Sequence, residues 1–168
     1  NLNYDAEVAF FAIHPESRGK GVGKQLFQRF RPLDMITTGD ARNILFSACK
    51  GVGIKDMHTS WAIPEGKVNR ERIVVITPPE QTSDTYWENC FVAVNLCVPD
   101  IKGEANLKRL DELERAAKAR FKEWTYGTYD GSAYRYRYEN IGREEDVNLG
   151  CHYIYIRVLF RVLNIKNN

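Results

Sequence analysis

Residues 90–122 read CFVAVNLCVPDIKGEANLKRLDELERAAKARFK, and the change of period inside this stretch decides the fold. Over Cys90–Val98, the apolar residues Val92, Val94, Leu96 and Val98 recur at every second position. Asn95 marks the other side as more polar. That pattern belongs to a strand with one buried face. Pro99, Asp100 and Gly103 interrupt it. From Glu104 to Lys122 the spacing becomes three or four: Leu107, Leu110, Leu113, Ala117 and Phe121 form one stripe, and charged residues cover the remainder. Burying each Leu or Phe is worth roughly 1.5–3 kcal/mol, so this helix is expected to lie on the sheet that contains 90–98.

Upstream, Arg72–Thr77 is a β-branched run stopped by Pro78-Pro79, hence a strand. Before it, Ala41–Lys50 reads as a helix capped by Thr38 or Asp40 and ended by Gly51 or Gly53. Downstream, Ala133–Glu139 alternates Tyr134, Tyr136 and Tyr138 with Arg135, Arg137 and Glu139. Cys151–Leu163 is a longer strand, with His152, Ile154, Ile156, Val158, Phe160 and Val162 on one face. The acidic run Glu144, Glu145 and Asp146 falls in the expected hairpin loop between these two. The implied class is α+β: an antiparallel or mixed sheet with two helices packed on one face, plus an N-terminal strand–loop–helix segment.

Composition narrows the functions on offer. Hydrophobic residues make up 43% and charged residues 27%, as in ordinary globular proteins. With five basic and four acidic residues of the first 34 set aside, 19 basic and 18 acidic remain. Near-neutrality disfavours a nucleic-acid partner, because phosphate contacts dominate that affinity. No run of about 18 apolar residues appears, so no membrane partner is expected. Asp5 and Glu7 near the start argue against a secretory signal. Cys49, Cys90, Cys97 and Cys151 show no C-x-x-C pair and read as buried free thiols of a reducing compartment. His14, His58 and His152 lack ligand spacing, so no metal site is expected, and no nucleophile–base pair stands out.

Residues 8–31, VAFFAIHPESRGKGVGKQLFQRFR, carry a separate signal: an apolar strand, a basic glycine-rich loop and a helix. Arg18, Gly21 and Gly23 fit R-x-x-G-x-G. Such a loop aims backbone N–H groups at one point, where the helix dipole adds positive charge. The segment resembles the acetyl-CoA-binding motif of the GNAT acetyltransferases. That resemblance implies a pyrophosphate cradle of Arg18, Gly19, Lys20, Gly21, Val22 and Gly23, and N-acetyl transfer from acetyl-CoA. In that family the motif follows several strands, whereas only seven residues precede Val8 here. Met35-Ile36-Thr37-Thr38-Gly39-Asp40 reads like the beginning of a protein. Residues 1–34 are therefore expected to be a GNAT-like segment appended to an α+β domain over 35–168.

Within that domain, Trp87-x-x-x-Phe91-Val92-Ala93-Val94-Asn95-Leu96, a turn, the helix Asn106–Phe121 and a closing strand ending Phe160–Asn164 form a sequence of elements. Over residues 36–164 it resembles the small tail-completion or tail-terminator proteins of long-tailed phages. The resemblance implies a non-enzymatic, cofactor-free subunit that forms rings and contacts other virion proteins, in the virion or the host cytoplasm. Candidate contact regions are the strand Tyr134, Arg135, Tyr136, Arg137 and Tyr138, the Pro78–Trp87 loop and the Arg143–Asn148 loop. Alternating tyrosine and arginine suits a protein interface. It also suits base stacking, which keeps a nucleic-acid-binding α+β domain as a further alternative.

Overall fold

The structure, a computed structural model, describes residues 35–84 and 86–163. The GNAT-like stretch, including Arg18–Gly23, lies outside the described residues. In chain order the elements are α1 (Thr38–Cys49), a 3-10 turn (Lys50–Val52), β1 (Asp56–Thr59), β2 (Arg72–Ile76), β3 (Thr82–Ser83), β4 (Glu88–Pro99), α2 (Leu107–Phe121), β5 (Thr125–Tyr129), β6 (Ser132–Asp146) and β7 (Cys151–Leu163). The seven strands form one mixed sheet in the order β1-β2-β4-β7-β6-β5, with β3 pairing β4. Only β1 and β2 run parallel; every other pairing is antiparallel. The fold is α+β.

The main core lies between the two helices and one face of this sheet, and a smaller buried cluster of Val68, Val74, Cys97 and Cys151 forms apart from it. Val92, Val94, Leu96 and Val98 of β4 meet Ile154, Ile156, Val158, Phe160 and Val162 of β7, with Ile73 and Val75 of β2 beside them. Leu110, Leu113, Ala117 and Phe121 of α2 cover these strands, as do Ala41, Leu45 and Ala48 of α1. The period-two and period-three/four patterns thus converge on the same interior.

Several boundaries differ from the sequence reading. Leu107 is not part of the buried stripe: it is 63% exposed. Ile101 and Glu104 pair their backbones across a turn with Lys102 and Gly103 at positive φ. That pairing uses the groups a helix starting at Glu104 would need. Asn106 caps α2 instead, its side chain accepting from the Arg109 N–H. The cap of α1 is Thr37, not Thr38 or Asp40. Thr37 Oγ1 accepts from the Asp40 N–H at 3.2 Å while Asp40 Oδ2 accepts from the Thr37 N–H at 2.9 Å, a reciprocal capping box. Burial raises the Asp40 carboxyl, but the bonds from Thr37 outweigh it and leave its pKa lowered. Strands β1 and β5 occupy stretches to which the sequence reading assigned no element.

The largest difference is in β6. Glu144, Glu145 and Asp146 belong to the strand rather than to a loop, paired with Tyr153, His152 and Cys151. The alternation stops being readable at Glu139 because a bulge inserts one residue between Tyr138 and Asn140. Tyr138 opposes Val158 and Ile141 opposes Ile156. The extra residue therefore returns Ile141 to the core face, where it packs. Without the bulge, the second half of β6 would present the wrong face.

All four cysteines are free and buried. Burial pushes the Cys49, Cys90 and Cys151 thiols up to about 12.

Candidate interaction face

The opposite face of the sheet carries no helix among the described residues, and here the alternation of β6 takes on a second meaning. Tyr136 is buried in the core, and Tyr134 and Tyr138 pack against it. Their rings join an aromatic cluster: Tyr134 and Phe160 stack with centroids 5.3 Å apart, Tyr136 and Phe160 at 6.1 Å, and Tyr136 meets Phe121 at 6.3 Å. Tyr134 lies directly over Gly127, its partner on β5, where any Cβ would collide with the phenol ring. The interface expected over 134–138 thus divides. The three tyrosines build the interior, and Arg135 and Arg137 project from the other side.

On that side they meet two tryptophans that stand one residue ahead of strands β4 and β5. The Arg135 guanidinium lies 4.6 Å from the Trp87 ring centroid and 4.7 Å from that of Trp124. Arg137 stacks on Trp124 at 4.6 Å, and Arg161 on Trp87 at 5.1 Å. The result is a ladder: Arg161, Trp87, Arg135, Trp124, Arg137. Arg135 and Arg161 are directly opposed across β6 and β7, a like-charge pairing that normally destabilises a sheet. The Trp87 ring, which both guanidinium groups contact, offsets that repulsion by cation–π attraction. Arg161 also donates to Asn89 Oδ1 at 2.8 Å and lies 4.0 Å from Asp84. Further along the same face, Arg157 stacks on Phe91 at 3.7 Å and reaches Glu139, the bulge residue, at 3.7 Å.

The remaining charged clusters tie elements together. Arg109 forks onto Glu71 at 2.7 and 2.9 Å. Arg143 donates to Asp111 at 2.6 Å and to Glu114 at 2.7 and 2.9 Å, joining β6 to α2. His58 sits 2.9 Å from Asp56, which also accepts from Arg70, and His152 sits 2.7 Å from Asp100. Each histidine has a carboxylate partner: for His58 it is Asp56, two residues earlier on β1, and for His152 it is Asp100, just after β4. Among the described residues, no three His, Cys, Asp or Glu side chains converge as metal ligands, and no helix is long and apolar enough to cross a membrane.

No protein-family model matches the chain, and no curated protein matches it. The ladder therefore rests on its own geometry. Sequence reading singled out Arg135 and Arg137 as contact residues but not Trp124, Phe91, Arg157 or Arg161. Trp87 entered as the end of the Pro78–Trp87 loop and, with Phe91, in the run of elements that resembles tail proteins. The available signal was the arginine spacing on β7: Arg157 and Arg161 lie on the side opposite Ile156 and Phe160.

Proposed function

We propose that this chain is a non-enzymatic assembly protein of phage or prophage tail, of the tail-completion or terminator type, working through ring-forming contacts between subunits. The observation that carries this reading is the arginine–tryptophan ladder on a sheet face that carries no helix among the described residues. Tryptophan and arginine are the side chains that most often dominate binding energy at protein interfaces. A sheet held by a core on its other face offers them a rigid platform, so little ordering cost attends docking. Other virion proteins are the natural further partners, and the working place is the virion or the host cytoplasm.

Sedimentation velocity over a wide concentration range tests this. Self-association that weakens on Trp124→Ala is expected; a monomer at every concentration refutes the reading. Nucleic-acid binding is favoured by one specific feature, the tryptophan faces flanked by guanidinium groups. Fluorescence anisotropy with a labelled single-stranded oligonucleotide separates it from assembly. The acetyltransferase alternative depends on Arg18–Gly23, and calorimetry with coenzyme A, with and without Gly21→Trp, decides it.

A further inference from the structure

The two ends of the β6–β7 ribbon differ in chemistry. At one end the ladder places Arg137 on the surface, stacked on Trp124. Among the described residues, Arg137 has no carboxylate partner. At the other end, the turn after β6 is an apolar tip with acidic flanks. Val147 stands 74% exposed at its apex. Asp146 Oδ1 accepts from the Leu149 N–H at 2.9 Å, and the Gly150 N–H bonds the Val147 carbonyl at 3.3 Å, so the tip is held in shape. Glu144 accepts from the Tyr153 hydroxyl at 2.6 Å. Glu145 is exposed and has no ion pair or hydrogen bond among the described residues.

These ends cannot meet within one molecule. Glu145 pairs in register with His152 and Arg137 with Leu159. Seven residues of strand separate those positions, about 23 Å at about 3.3 Å per residue. An apolar, acidic tip and a cationic, aromatic platform on one rigid ribbon are complementary only between copies.

We propose that the β6–β7 tip of one copy, led by Val147 and Glu145, docks on the Trp124–Arg137 platform of a second copy. The contact is head-to-tail: each molecule offers a tip and receives one. Such heterologous contacts propagate into closed rings or open filaments rather than stopping at a two-fold dimer. Val147 supplies apolar area against the Trp124 ring, and Glu145 supplies the charge facing Arg137. The inference rests on the assembly reading and specifies its interface.

Charge reversal in sedimentation velocity tests it, using Glu145→Arg and Arg137→Glu in the full chain. Both sites are exposed, and unchanged far-UV circular dichroism and melting confirm folding. Each variant alone is expected to associate about tenfold more weakly or worse, because like charges then face each other. Mixing the two variants restores association, since the reversed tip meets the reversed platform. A second measurement uses Val147→Ser, which keeps all charges and is expected to weaken association at high salt as well as low. Wild-type association unaffected by these variants overturns the proposed contact and leaves assembly standing. A wild-type chain that never associates overturns both. Single-stranded DNA binding that Arg137→Glu abolishes, without self-association, also overturns the contact and assigns the platform to nucleic acid.

Discussion

The two faces of one sheet use neighbouring residues of the same strands for opposite ends. On the helix-covered face, Tyr134 and Tyr136 of β6 and Phe160 of β7 surrender their rings to a dry cluster beneath α2. On the bare face, Arg135 and Arg161, one residue away from them, stack with Trp87 and Trp124. The covered face is held by burial and shape; the other face carries the directional cation–π contacts of the ladder and, apart from them, a small buried cluster of Val68, Val74, Cys97 and Cys151. The first should therefore control whether the chain folds and the second what it touches.

The strongest way to break this contrast is Phe160→Ala. Removing a fully buried ring from the centre of the aromatic cluster should cost about 3–5 kcal/mol, read as a lower denaturant midpoint. Gly127→Ala comes next. Its new Cβ collides with Tyr134, and forcing that ring aside should cost about 1–3 kcal/mol, measured by the same unfolding curves. On the bare face, Trp124→Ala removes two cation–π contacts, each worth about 0.5–1 kcal/mol at partly exposed sites. Stability should fall by no more than about 2 kcal/mol while self-association weakens. A Trp124→Ala protein that unfolds as readily as Phe160→Ala would erase the distinction between the faces.

The smallest effect is expected where charge alone joins elements. Arg143→Ala should cost about 1 kcal/mol or less at neutral pH, because its partners are partly exposed. The effect should depend on pH. Hydrogen bonds from Lys118 and then Arg143 hold the Glu114 carboxyl below its ordinary 4.5. A depressed carboxylate contributes fully above its unfolded value, and the contribution is lost as pH falls through the lower folded value. Urea unfolding should thus show the cost of Arg143→Ala shrinking on the acid side of 4.5.

Much of the fold is legible in the chain because its patterns are local. Strand β7 appears over Cys151–Leu163 as its alternation indicates, and β4 and α2 differ from the reading only at their ends. Leu107 misled because it lies on the helical stripe yet sits at the first position of α2, beyond the edge of what the helix covers. The second half of β6 escaped because one bulged residue, Glu139, breaks a period that continues on either side of it. Strands β1 and β5 are short edge strands of half-buried or exposed residues, so they carry little periodic signal. Of the candidate face, two arginines were visible; the tryptophans that stack on them come from separate connections.

The sequence alone determined which residues are apolar at which period, and with that the main elements, the two faces of β4 and β7 and the burial of the four thiols. Tertiary structure decided the rest: where the bulge resets the phase of β6, and which rings lie between which guanidinium groups. A period is a property of consecutive residues. Stacking Arg135 between Trp87 and Trp124 depends instead on the pairing of β5, β6, β7 and β4, which brings together residues far apart along the chain.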